Sequence, residues 1–119
     1  MESCQCGQQN VFSIYQGDNK TMSLKAVYAE SGDPLDLTSC TEIVVSLPNQ
    51  DGTFSTFKLS LSTVTITSPA VLGKFTILVT TLISNLLNVG VLQSFDVAFT
   101  ISGQTFTVKY FQALSVFEN

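Results

Sequence analysis

The chain has 119 residues, 45% of them hydrophobic and only 12% charged, with nine carboxylates against five lysines and neither arginine nor histidine. This size fits a single domain with one core, and the low charge requires that Ser, Thr, Asn and Gln, or a neighbouring protein, cover much of the exterior. Lys20, Lys25, Lys58, Lys74 and Lys109 stand singly, which excludes the concentrated basic groove of a nucleic-acid-binding protein.

The first ten residues, MESCQCGQQN, are polar and lack a strand pattern, so residues 1–10 are expected to be a flexible segment before a β-sandwich domain spanning 11–119. They also lack the positive region and continuous apolar stretch of a signal peptide, and membrane insertion is not expected. Phe12 and Ile14 then share one face and Val11 and Tyr15 the other, predicting a strand that Gly17-Asp18-Asn19 ends in a turn. Met22, Leu24, Ala26 and Tyr28 recur at period two, until Glu30-Ser31-Gly32-Asp33-Pro34 breaks the run. Leu35 and Leu37 are expected to anchor the following loop.

Ile43, Val45 and Leu47 predict one face of a strand that ends at Pro48. Asp51-Gly52 is a strong hairpin signal, and the returning strand is expected to carry Phe57, Leu59 and Leu61 on one parity. Val64 and Ile66 follow a short reversal, Ser68-Pro69-Ala70 interrupts, and Phe75, Ile77 and Val79 alternate after Gly73. Leu82 with Leu86 and Ile83 with Leu87 fall at i, i+4 spacing, predicting one short helix near residues 81–88 with Ser84 and Asn85 on its wetter side. Phe95, Val97, Phe99 and Ile101, then Ser102-Gly103, then Phe106, Val108 and Tyr110 make the clearest hairpin. Its second strand is apolar on both faces around Phe111 and Ala113, which points to a partner contact or a covered edge. About eight short strands with regular turns predict an all-β sandwich or barrel without fixing strand order; the expectation adopted is an immunoglobulin-like antiparallel β-sandwich.

Chemistry is sparsely signalled. Without histidine the commonest near-neutral general base is missing, no Ser lies in a G-x-S-x-G elbow, and Asp96 and Glu42 have the phase of solvent-facing strand residues. No catalytic residue and no cofactor is assigned. Cys4, Cys6 and Cys40 cannot form a closed disulfide set; unpaired thiols are the leading reading, with one disulfide or a soft-metal site as alternatives. Asp33 and Asp36, with Asp18 or Asp51, could approach a calcium ion, but their spacing is not that of an EF-hand loop and each has a turn-forming role. No metal is expected.

The stretch YQGDNKTMSLKAVY, followed by ESGDPLDLTSCTEIVVSLPNQDGTF, resembles the N-terminal β-sandwich of tailed-phage upper baseplate proteins and related tail or neck modules. The resemblance covers Phe12 to Phe117, and GDPLDLT joined to TEIVVSLPNQDG is its most distinctive part. The later run from Ser68 to Val116 is similar to phage structural modules in which a short helical turn precedes the closing hairpin. The resemblance implies a non-enzymatic virion protein, synthesised in the host cytoplasm, that docks onto other phage structural proteins as a homo-oligomeric ring or multicopy adaptor. It carries Gly17-Asp18, Gly32-Asp33-Pro34 and Asp36-Leu37-Thr38 over as turn architecture. Upper baseplate proteins continue into an oligomerising region, whereas Asn119 follows the sandwich directly, so a stand-alone neck, tail or baseplate adaptor fits equally. The competing reading is a carbohydrate-binding or host-receptor-binding sandwich, which would need an exposed cluster of aromatic and polar residues.

Overall fold

In the computed structural model the described residues are 11–28 and 31–118, with the side chains of residue 106 and residues 108–113 outside the description. The flexible segment expected at 1–10, Cys4 and Cys6, and the doubly apolar side chains around Tyr110, Phe111 and Ala113 therefore lie outside the described residues. Eight strands are described, β1 (Val11–Tyr15), β2 (Lys20–Lys25), β3 (Cys40–Pro48), β4 (Phe54–Lys58), β5 (Val64–Ile66), β6 (Lys74–Val79), β7 (Gly90–Ile101) and β8 (Gln104–Phe117), with one helix, α1 (Thr81–Ser84). They form a five-stranded sheet in the order β1-β8-β7-β3-β4 and a three-stranded sheet in the order β2-β6-β5.

Period-two alternation places the core between these sheets. Ile43, Val45 and Leu47 from β3 and Val97 and Phe99 from β7 point inward to meet Met22, Leu24, Phe75, Ile77 and Val79 from the smaller sheet, and all are buried. Phe75 and Phe99 cross the interface edge to face, with ring centroids 5.8 Å apart. Burying each such ring contributes about 1.5–3 kcal/mol before entropy is counted. Leu35 and Leu37 are buried as expected and pin their loop to the same core.

Turn chemistry closes the hairpins where the residues indicated. Asp51-Gly52 joins β3 to β4, with Gly52 at a φ of 91°. Ser102 and Gly103 both have positive φ, 52° and 81°, which suits the right-handed twist of the β7–β8 pair they connect.

Four expectations need correction. The sandwich is not wholly antiparallel, because β1 runs parallel to β8, from Val11 opposite Ala113 to Tyr15 opposite Phe117. These strands are remote in sequence, so no hairpin dictates their direction. Leu59–Leu61 forms a 3-10 turn beyond β4 instead of extending it, leaving Leu61 exposed. The helix stops at Ser84 and does not continue to residue 88, because Leu87 turns inward and bridges to Asn49. Ser84 is fully buried rather than on the wet side.

Candidate functional site

Three loops meet at one end of the sandwich: residues 16–19 between β1 and β2, residues 49–53 between β3 and β4, and residues 80–89 between β6 and β7. The last is the longest, and hydrogen bonds tie it to the other two. The Ser84 hydroxyl accepts from Gly17 N–H at 3.0 Å and donates toward Asp18 O at 2.8 Å, with Thr81 O also in reach at 3.1 Å. Gln16 Nε2 donates to Leu87 O, Gln50 N–H to Leu86 O and Asn88 N–H to Pro48 O. Thr80 starts α1 by accepting Ile83 N–H on its side chain.

This anchored segment presents apolar residues to solvent. Residues 75–95 contain no charged side chain, and within them Leu82 is 75% exposed, Val91 65% and Leu92 64%, with Leu86 and Val89 also exposed. Leu92 adopts a φ of 53° where the β7–β8 register shifts, and its N–H donates to Ser115 Oγ. The bulge turns Leu92 outward while leaving its backbone satisfied.

Beside α1 the two sheets part in an open cleft of about 430 Å³. Thr21, Thr56, Thr65 and Thr76 line it together with Phe57, Ile77, Leu78 and Ile83, and among the described residues no charged side chain does. The cleft exists because β5 is only three residues long: its register with β6 ends at Val64 opposite Ile77. On the facing sheet, Lys58 N–H and C=O point away from β3 and are both taken by Thr63, at 2.6 Å and 3.0 Å. Alternation along β4 turns the backbone polar groups of Thr56 the same way, into the cleft. On β6, Lys74 O accepts from Thr67, so the same alternation aims the N–H and C=O of Leu78 at the vacant stretch beyond β5. Among the described residues, Leu78 has no strand partner on that side.

Of the carboxylates singled out in the sequence, Asp18, Asp36 and Asp51 serve turns and Glu42 a strand end, while Asp33 takes part in its turn through its main chain, donating N–H to Ser31 Oγ and accepting Tyr28 N–H. Asp36 accepts from the N–H and hydroxyl of Thr38, Asp51 does the same with Thr53, and Asp18 accepts Tyr15 N–H. The Thr38 and Thr53 donors hold the Asp36 and Asp51 carboxyls below the usual range. Glu42 is lowered chiefly by the Ser60 hydroxyl and then by Ser60 N–H, which fastens the 3-10 turn to β3. Asp96 is exposed, as its phase implied. No three Cys, Asp or Glu side chains among the described residues are grouped to hold a metal ion. Cys40 is free, its thiol donates to Glu42 O, and partial burial pushes its pKa up. Tyr15 packs against Phe117 at 5.3 Å beside the anchored end, whereas Tyr28 follows β2 at the opposite end, so these two tyrosines do not share a platform.

No protein-family model matches the sequence, and no curated protein matches it significantly. Neither the exposed apolar loop nor the cleft was identified from the sequence. The uncharged run between Lys74 and Asp96 was a signal available for the loop.

Proposed function

We propose that this chain is a non-enzymatic structural module of a tailed-phage particle, mediating tail, neck or baseplate assembly through contacts with other virion proteins. The carrying observation is the uncharged segment at the anchored end, which presents Leu82 to water from a loop held by the Ser84, Gln16, Gln50 and Asn88 hydrogen bonds, and Val91 and Leu92 from the start of β7 that follows it. Exposed apolar side chains on a held backbone lose little conformational freedom when covered, which suits a docking surface. Multiple copies held in a ring would convert individually weak contacts into a stable assembly.

The framework of this proposal is an immunoglobulin-like sandwich of the variable type. Strands β2 to β8 follow the order of strands B, C, C′, D, E, F and G, with β8, β7, β3 and β4 in one sheet and β2, β6 and β5 in the other. The chain departs from antibody domains in having no tryptophan and no cysteine in β2 or β7. Apolar packing around Met22, Leu24 and Val97 occupies the centre instead.

The test is detection of the chain in purified particles, followed by particle reconstruction and the double variant Leu82→Asp with Val91→Asp. Both side chains are exposed, so the variant should melt as the wild type does while its incorporation into particles falls by about tenfold or more, corresponding to a loss of about 1.4 kcal/mol. Absence of the chain from particles, or full incorporation of the variant, refutes the proposal.

A further inference from the structure

The geometry points to the cleft between β4 and β6 as a strand-addition site for an extended, uncharged segment of a neighbouring polypeptide. This inference rests on the assembly reading and adds the form of the partner's contact.

Two stretches of sheet edge without a strand partner among the described residues face this opening. Thr56 presents backbone polar groups from the five-stranded sheet, and Leu78 presents them from the three-stranded sheet where β5 has stopped. An extended chain carries donors and acceptors at alternating residues and can satisfy such an edge along its length. Phe57 and Ile83 give an inserted side chain apolar surface, and the lining threonines keep the opening polar without charge. The uncharged lining offers no counterion to an acidic or basic segment, and a charge placed there would lose hydration without recompense.

The rest of the smaller sheet's rim shows why this position differs. Lys20 and Lys25 bound β2, placing a charge at each end of that edge. Thr63 closes the upper end of the β4 edge by pairing with Lys58. The cleft opens below that closure, next to α1, and is continuous with the exposed apolar segment through Ile83 and its neighbour Leu82. An arriving strand would therefore be flanked by the surface proposed to meet the same neighbour.

Amide NMR spectra of the full chain test this, with an acetylated and amidated pentapeptide of alternating threonine and valine as probe. The peptide should shift the Thr56 and Leu78 amides and slow their hydrogen exchange. A counterpart N-methylated at alternate amides should bind about tenfold or more weakly, because it cannot make the backbone hydrogen bonds. Leu78→Lys, at an exposed position, should fold normally and weaken the unmodified peptide to a similar degree, while Val71→Lys at the other end should not. Equal binding of the methylated peptide, shifts confined to other residues, or no shift at millimolar peptide overturns the inference. So does maltopentaose shifting these amides when the peptide does not, which would make the cleft a saccharide site. If Leu82→Asp with Val91→Asp blocks incorporation while the peptide leaves the cleft untouched, strand addition is wrong and the assembly reading stands. If the peptide binds as described but the chain is absent from particles, the assembly reading fails separately.

Discussion

The anchored end and the open cleft adjoin each other and are built from similar hydroxyl groups, yet they use them oppositely. At the anchored end the Ser84 hydroxyl is buried, accepts one hydrogen bond and donates its proton toward two carbonyls. In the cleft the threonines stand on strand faces beside an edge that β5 leaves unpaired. Hydroxyls enclosed by backbone donors and acceptors fix a loop, whereas hydroxyls beside an unfinished edge remain available to an incoming group. The same contrast separates the far end of the smaller sheet from its open side. There, Gly73 O accepts Ala26 N–H, Leu35 N–H donates to Ala26 O, and Leu37 N–H donates to Ala70 O, so the backbone is closed on itself.

Substitutions sharpen this contrast. The largest effect is expected at the closed far end, where Gly73 has a φ of 70° and an added Cβ would lie 2.5 Å from Ala26 O and 2.9 Å from Leu35 O. Both neighbours are main chain, so Gly73→Ala should cost about 3 kcal/mol or more in chemical denaturation. Ser84→Ala comes next: it leaves Gly17 N–H without its acceptor, and a loss of about 1–3 kcal/mol is expected. At roughly 4 °C per kcal/mol, its thermal midpoint should fall visibly. Thr21→Val, Thr65→Val and Thr76→Val should each stay within about 0.5 kcal/mol of the wild type. A cleft threonine as costly as Ser84 would abolish the distinction.

The smallest effect concerns acid. Asp36, Asp51 and Glu42 have folded pKa values depressed by hydroxyl and N–H donors. Their stabilisation is present above the unfolded carboxylate range and is lost as pH falls through the lower folded values. Thr53→Val removes the hydroxyl donor to Asp51, so it should lower the denaturant midpoint slightly at neutral pH and converge on the wild type in acid, which shallows the acid-side decline.

Strand positions were legible where one face is buried and the other wet. Ile43, Val45 and Leu47, and likewise Phe95, Val97 and Phe99, lie on the core face their spacing indicates. The Asp51-Gly52 and Ser102-Gly103 turns followed from backbone chemistry local to a few residues. Ser84 was misread because helical spacing assigns faces only relative to a helix axis, while the partners that bury this serine come from the turn after β1. Leu87 ended the helix by pairing with a remote hairpin residue. The cleft was illegible for a related reason: it arises from where β5 ceases to follow β6, a long-range register that local periodicity does not encode.

The parallel pairing of β1 with β8 has a mechanical consequence. Val11–Tyr15 lies alongside residues 113–117 in the same direction, and Gln16 N–H adds a bond to Phe117 O beyond the last pair. Tension applied toward the N-terminus at Val11 and toward the C-terminus at Phe117 would slide these strands past each other, not peel them apart. In that geometry the interstrand bonds share the load and must yield nearly together. The junction would resist stretching along its length far better than pulling across it, a directional strength supplied by strand orientation alone.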